Sequence, residues 1–226
     1  NANDDLSLSF SNKGNKDISW ETIGSLNLGT EFGLFKNRIA GEIVYFNRKT
    51  SDMLYWFNVP PSLGYSGYYA NIGDMKNSGL EVDLRFTPVR TKDIEWLVNL
   101  NMSYVKNRVT YIPEARKSTS VDGHEGYING NWYIGEGLPF NTYYMKSYAG
   151  VNEVGLPLWY KNTVDGDGNI TGRETTDTYN SADYYLCGSP YPDLYGGFGT
   201  SLNVHGFDFS MMFDYAIGAD GYDTGY

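Results

Sequence analysis

A short stretch between positions 80 and 86 alternates strictly between apolar and ionised residues. Its members are, in order, Leu80, Glu81, Val82, Asp83, Leu84, Arg85 and Phe86. Because successive side chains of a β-strand point to opposite faces, one face of this strand must meet an apolar environment and the other must meet water. Similar alternation recurs over 26–34, 94–104 and 207–217. The pattern therefore predicts long β-strands with one apolar and one wet face.

The length of these runs suggests what the apolar face meets. Each run has about 9 to 11 residues, the length that a tilted β-strand needs to cross a bilayer. The 21 tyrosines cluster near the ends of the runs and between them, and tyrosine favours a membrane–water boundary. A soluble β-sandwich also alternates apolar and polar positions, although its strands are usually shorter. The alternation is therefore compatible with either a membrane barrel or a soluble sandwich.

Composition and charge exclude several kinds of protein. The formal net charge of −10 would repel phosphates, so no nucleic acid is expected as a partner. No stretch approaches ~18 consecutive apolar residues, so no membrane-spanning helix is predicted. Cys187 is the only cysteine, which rules out an internal disulfide. The polar start at Asn1–Asp5 lacks a signal pattern, so an exported chain is expected to have lost its signal or to be a piece of a longer one.

Six segments can be paired into three hairpins with short turns rich in Asn, Gly, Pro and Asp. The predicted strands lie near 22–35, 38–49, 79–87, 94–107, 195–204 and 207–217. The links between the hairpins, 50–78 and 108–193, are much longer. Short turns on one side and long loops on the other are typical of outer-membrane barrels, whose long loops are extracellular. This asymmetry favours an all-β, antiparallel transmembrane barrel.

The link 108–193 is too long for a simple loop in a compact domain. The strands on either side both need their loop ends outside, so the link must contain an even number of membrane crossings, zero or two. It therefore holds either two further strands, for example around 142–151, or a folded extracellular lobe.

One acidic segment of this link, 163–174, resembles the calcium loop of EF-hands. Asp165 and Asp167 fall at the third and fifth loop positions, Gly168 supplies the sharp turn, and Glu174 supplies the closing carboxylate. Thr163 stands where the first Asp is expected, and no helical pattern flanks the segment. The alternative is an Asp/Gly-rich turn that binds nothing. The segment predicts a Ca²⁺ site at Asp165, Asp167, Asn169, Thr171 and Glu174.

Other residues suggest binding rather than catalysis. The two histidines have no partners at the spacing that a metal site or a catalytic triad requires, so an enzyme is not expected and no cofactor is required. The long links are rich in aromatic residues that can stack on sugars or peptides, or can simply pack together and stiffen the loops. The candidates for substrate binding are Trp56, Trp132 and Trp159.

Several stretches resemble the SusC-like TonB-dependent transporters, in the same order as in that family. Trp20-Glu21 precedes LGTEFGLFKNRI at 28–39, which is followed by YFNRKTSDML at 45–54 and NIGDMKNSGLE at 71–81. GSPYPDLYGGF at 188–198 and the Gly-Phe-Asp at 206–208 complete the match. The resemblance covers most of the chain.

This resemblance implies a large barrel of about 22 strands with a plugged lumen. The plug precedes the barrel in such transporters and carries the TonB-contacting segment. Neither a plug nor enough strands for closure is expected within 1–226, so the chain is identified as part of the C-terminal half of the barrel with its long extracellular loops.

The resemblance also implies a function and a location. The expected function is import of oligosaccharides across the outer membrane of a Gram-negative, Bacteroidetes-like bacterium, with a SusD-like lipoprotein as a lid and energy supplied through TonB. The alternatives are a peptide importer of the same family, a small self-contained outer-membrane barrel or adhesin, and a soluble carbohydrate-binding β-sandwich.

Overall fold

The computed structural model describes residues 14–223, so the polar start at Asn1–Asp5 lies outside the described residues. The described chain is built from β-strands and three single-turn 3₁₀ helices. The strands are β1 (Thr22–Leu34), β2 (Ile39–Ser51), β3 (Leu54–Asn58), β4 (Gly67–Asn71), β5 (Asp74–Arg90), β6 (Ile94–Tyr111), β7 (Thr119–Val121), β8 (His124–Asn129), β9 (Trp132–Gly135), β10 (Thr142–Lys146), β11 (Tyr148–Val151), β12 (Pro157–Val164), β13 (Ile170–Thr176), β14 (Tyr184–Leu186), β15 (Leu194–Val204) and β16 (Phe207–Ile217). The prediction of an all-β fold is confirmed. No helix between residues 14 and 223 is long and apolar enough to cross a membrane.

The six longest strands form one antiparallel main sheet in the order β1-β2-β5-β6-β15-β16. Strand β6 pairs directly with β15, with Leu194 opposite Tyr104. The link between these two strands therefore adds no strand to the main sheet. This pairing agrees with the folded lobe, one of the two alternatives predicted for 108–193; the extracellular position of that lobe stays a prediction.

The register places most of the large apolar residues of the six strands on one side, which we call the apolar face. Residues directly opposite each other in an antiparallel pair share a face, and one row across the sheet consists of Phe32, Gly41, Leu84, Leu100, Phe198 and Phe213. Leu28 and Phe209 on this face are 60% and 54% exposed. A two-sheet sandwich would cover such residues, so the geometry is that of a wall whose apolar side meets another medium.

Two strands run further than the alternation predicted. Strand β5 begins at Asp74 and ends at Arg90, and β6 continues to Tyr111. The predicted turn 88–93 is wrong in its first half, because Pro88 lies within β5, where the register shifts between Phe86 and Val89. A β-bulge tolerates proline, since the extra residue makes no ladder hydrogen bond.

The remaining strands form three smaller sheets, which together we call the lobe. Their orders are β14-β10-β9-β8-β7, β11-β12-β13 and β3-β4. The lobe core contains Val109, Ile112, Tyr127 and Ile134, with Phe57, Trp132 and Phe140 packed against it. Val109 is only 1% exposed and belongs to β6. The lobe is therefore built directly on the projecting end of a main-sheet strand.

The lobe core is expected to lose stability at high pH because of one buried tyrosine. Burial raises the pKa of Tyr127 to about 12, so the folded state favours the neutral phenol. The stability that follows is fully present below pH ~10 and is lost as the pH rises through about 12, at a cost of about 3 kcal/mol. Between pH 10 and 12 we expect hydrogen exchange of the lobe amides to accelerate by more than the intrinsic base-catalysed increase, and Tyr127→Phe to reduce this excess. Tyr148→Phe, at an exposed position, should leave it unchanged, and equal effects of the two variants would contradict the assignment.

Candidate functional site

The polar face of the main sheet carries an unusual concentration of carboxylates. The register aligns one row directly across the six strands, and we call it the acidic row: Glu31, Glu42, Asp83, Asn101, Gly197 and Asp214. Asn101 accepts a hydrogen bond from the backbone N–H of Gly197 at 2.8 Å. None of the four carboxylates in the row forms an ion pair within residues 14–223. The row therefore gives this face a negative potential that opposes anionic molecules.

A cavity of about 560 Å³ lies where the polar face meets the lobe. Asn77 and Asn107 are opposite each other on the polar face and are joined by an amide–amide hydrogen bond of 2.6 Å. Asn107 also accepts a hydrogen bond from the backbone N–H of Phe140 at 2.7 Å. The cavity combines amide and aromatic groups, and its size is in the range of small-ligand sites. Its lining also includes three charged residues, and its main members are Met75, Asn77, Lys106, Asn107, Arg108, Phe140, Tyr191, Asp193 and Tyr195.

The three tryptophans predicted to bind substrate are half-buried and lie in three different sheets. Trp132 of β9 stacks on Tyr143, with ring centroids 4.4 Å apart. Trp56 of β3 and Trp159 of β12 each meet another tyrosine edge-on, at 5.0 Å and 5.2 Å. The structure therefore pairs each tryptophan with its own tyrosine and does not unite the three in one platform. Substrate binding by Trp56, Trp132 and Trp159 stays a prediction, and each ring retains an accessible part.

Two cationic centres of the lobe were not predicted from the sequence. The Arg116 guanidinium lies 4.1 Å above the Phe57 ring and 5.7 Å from that of Tyr68. The neighbouring Lys117 amino group lies 2.6 Å, 3.1 Å and 3.3 Å from the carboxylates of three glutamates. These are Glu114, Glu125 and Glu136.

These centres fix the path of the chain as it leaves β6. Hydrogen bonds to Glu114 and Glu125 raise the pKa of Lys117, which keeps it charged. Glu136 also accepts a hydrogen bond from the backbone N–H of Ile112 at 2.8 Å. Glu125 and Glu136 come from other segments than Lys117, so no local sequence motif predicts these contacts.

The acidic segment predicted to bind calcium forms the turn of the β12–β13 hairpin. The Asp165 carboxylate accepts hydrogen bonds from the backbone N–H groups of Asp167 and Asn169 at 3.0 Å and 2.8 Å. The hydrogen bonds from Asn169 are the main cause of the lowered pKa of Asp165. Glu174 lies further along the hairpin, opposite Lys161, and their charged groups are 3.5 Å apart. The described residues contain no cluster of three or more His, Cys, Asp or Glu side chains arranged to hold a metal.

Calcium binding by this turn stays a prediction, which calorimetry can check. Binding would require Glu174 to leave Lys161 and the side chains of Asp167, Asn169 and Thr171 to converge with it on the ion, as the EF-hand resemblance implies. The predicted result is heat on titration with Ca²⁺ that is lost in Asp165→Asn together with Asp167→Asn. Glu153→Gln, in the neighbouring β11–β12 turn, is the control. If Ca²⁺ produced no heat although the turn was ordered, the prediction of a calcium site would be wrong.

Comparison with known proteins gives one consistent result. The family model described as TonB dependent receptor-like, beta-barrel matches residues 1–215. TonB-dependent receptor P3 of Formosa agariphila is 28% identical over 91% of this chain and 21% of its own length. TonB-dependent receptor SusC of Bacteroides thetaiotaomicron is 27% identical over 87% of this chain and 19% of its own length. The chain thus spans about a fifth of the length of these curated relatives.

Solved structures agree with the family match. A structure described as the RagAB peptide transporter is 30% identical, with a TM-score of 0.75 over 96% of this chain and 23% of that one. A structure of the RagAB peptide importer in the open-open state has 29% identity and a TM-score of 0.72 over 97% of this chain and 23% of that one.

Proposed function

The chain belongs to the TonB-dependent receptor-like β-barrel family, and from this premise we propose that it forms one sector of an outer-membrane importer of oligosaccharides. One observation carries the proposal: the main sheet has a continuous apolar face on one side and the acidic row on the other. In a barrel wall, the first would meet lipid and the second the lumen. The predicted membership of the SusC-like transporters is confirmed by the family model and by the curated relatives.

Each part of the chain then has a role in transport. The wall encloses the path of the nutrient, and the lobe lies at its extracellular mouth with the cavity beneath it. A SusD-like surface lipoprotein closes over the mouth, and TonB supplies energy through a plug. Catalysis has no part in this function, because the importer needs only to bind the nutrient and release it.

The substrate class rests on the aromatic lobe and the acidic row. The accessible parts of Trp56, Trp132 and Trp159 offer apolar ring faces suited to the faces of sugar rings. A peptide is the second candidate, because the similar solved structures are described as a peptide transporter and importer. The acidic row disfavours polyanions of either class. The expected cargo is therefore a neutral oligosaccharide or, in the second case, a neutral or basic peptide.

Uptake by intact cells tests this proposal. We expect deletion of the gene to abolish growth on a neutral oligosaccharide that the parent strain uses, while growth on a free monosaccharide continues. Trp132→Ala should weaken uptake about tenfold or more by removing an aromatic anchor, and Tyr148→Ala, at an exposed lobe position, is the control. Loss of peptide uptake alone would select the second candidate. Unchanged uptake of both nutrients would overturn the proposal.

A further inference from the structure

Four cations lie on the same side of the main sheet as the apolar face, beyond the point where its apolar residues end. Lys49, Lys76 and Arg108 are directly opposite one another across β2, β5 and β6. Lys106 lies two positions nearer the apolar residues, opposite Ser78. All four residues are exposed, and two of them, Lys106 and Arg108, also line the cavity of about 560 Å³. We call these four residues the basic patch.

The protein itself neutralises little of this patch. Within residues 14–223, the one ion pair made by the four cations joins Lys49 to Asp74 at 3.0 Å. Like charges placed directly opposite in a sheet repel each other. The patch also occurs in a chain whose acidic residues outnumber its basic ones by 27 to 17. Such a cluster gains stability when an external anion binds.

The position of the patch relative to the membrane–water boundary indicates which anions can reach it. The last apolar row contains Tyr45, Leu80 and Tyr104, and its two tyrosines are 42% and 44% exposed. Tyrosines at such a position typically mark the membrane–water boundary. The patch begins two residues beyond this row and ends four residues beyond it. With a strand tilt of about 45°, this places the cations about 5 to 10 Å above the boundary, in the head-group layer.

We propose that the basic patch binds the phosphate groups of a phosphorylated glycolipid in the outer leaflet, an inference that rests on the proposed membrane position of the wall. Lys76 and Lys106 supply point charges, and Arg108 offers a planar fork that can hold two phosphate oxygens. The acyl chains of the same lipid lie on Leu80, Val82 and their neighbours on the apolar face. A soluble phosphate would gain nothing from that continuity, so a lipid is the ligand that fits both surfaces.

Native mass spectrometry of the full-length protein tests this inference. The probes are a bisphosphorylated glycolipid and the same lipid after enzymatic removal of its phosphates. We expect the bisphosphorylated lipid to remain bound and added salt to weaken its binding. Lys76→Gln with Lys106→Gln should lower its affinity by about tenfold or more. The control is Lys36→Gln with Lys92→Gln, which removes the same charge from exposed turns at the opposite ends of the strands and should change nothing.

Equal retention of the two lipids would overturn the inference, as would unchanged binding by Lys76→Gln with Lys106→Gln. Displacement of the lipid by millimolar inorganic phosphate would also overturn it, because the site would then serve a soluble anion. Heat-modifiable migration in gels reports separately whether each variant folds as a barrel. A protein that folds in membranes but does not distinguish the lipids contradicts only the lipid site, whereas one absent from the outer membrane contradicts the proposed function.

Discussion

Replacing Leu100 by arginine is expected to remove most of the folded protein from the outer membrane. Leu100 lies near the middle of the apolar face, in the row that also contains Leu84 and Phe198. An arginine on the lipid side of a barrel costs about 2–4 kcal/mol near the bilayer midplane. That cost applies while the barrel inserts, so unfolded chains should be degraded before assembly. The measurement is the amount of heat-modifiable barrel in isolated outer membranes.

The neighbouring residue provides a matched control. Asn99 lies on the polar face, one position before Leu100 in the same strand. Asn99→Arg places the same side chain on the polar face, directly opposite Arg85 and two positions before Asn101 of the acidic row. Water and the nearby carboxylates screen the two arginines, so assembly should stay close to normal. If both variants assembled equally, the assignment of the two faces would be wrong.

The second large effect is expected at Gly73, where the β3–β4 hairpin returns to β5. Gly73 has φ of +127°, a conformation that side-chain-bearing residues rarely adopt, and an added Cβ would overlap the carbonyl of Tyr111. Its own carbonyl accepts a hydrogen bond from the backbone N–H of Met53 at 2.9 Å. Gly73→Ala should therefore destabilise the lobe by about 3 kcal/mol, the upper end for local backbone strain. Limited proteolysis should show rapid cleavage of the lobe while the main sheet stays folded.

Gly64→Ala distinguishes the effect of backbone strain from that of steric overlap with a neighbouring atom. Gly64 also has positive φ, at +80°, but no atom lies within 4 Å of a Cβ placed there. Its substitution should cost about 1 kcal/mol, since the conformational preference alone is lost. Equal cleavage of the two variants would show that the Tyr111 carbonyl moves aside and that the predicted overlap is not decisive.

The long strands were predictable because their chemistry repeats every two residues. Leu80 and Glu81 differ so strongly in polarity that a strand with one apolar and one wet face is the natural arrangement. The same rule missed the ends of β5 and β6, because Lys76 and Arg108 interrupt the apolar series on a strand that nevertheless continues. It also placed Pro88 in a turn, since a bulge within a strand has no distinct signature in the sequence.

The lobe could not be predicted in the same way. Its strands are mostly short, and its order is set by contacts between distant positions, such as Arg116 with Phe57 and Lys117 with Glu136. The acidic turn shows a related difficulty, because aspartate followed by glycine suits both a metal loop and a tight hairpin. In the structure, Asp165 hydrogen-bonds to its own backbone turn. The tryptophans were recognisable as candidates from their residue type, but the tyrosine beside each one comes from another part of the chain and was not predictable.

The lobe is supported by the ends of β5 and β6, which project beyond the rest of the main sheet. From Tyr104, the last β6 residue paired with β15, to Tyr111 the strand overhangs by about 23 Å at the usual rise per residue. The overhang remains hydrogen-bonded to β5, and its Val109 is part of the lobe core. The lobe is therefore connected to the main sheet through two hydrogen-bonded strands and not through a flexible loop. Because β6 contributes Val109 to the lobe core, a displacement of that core must also displace the end of β6.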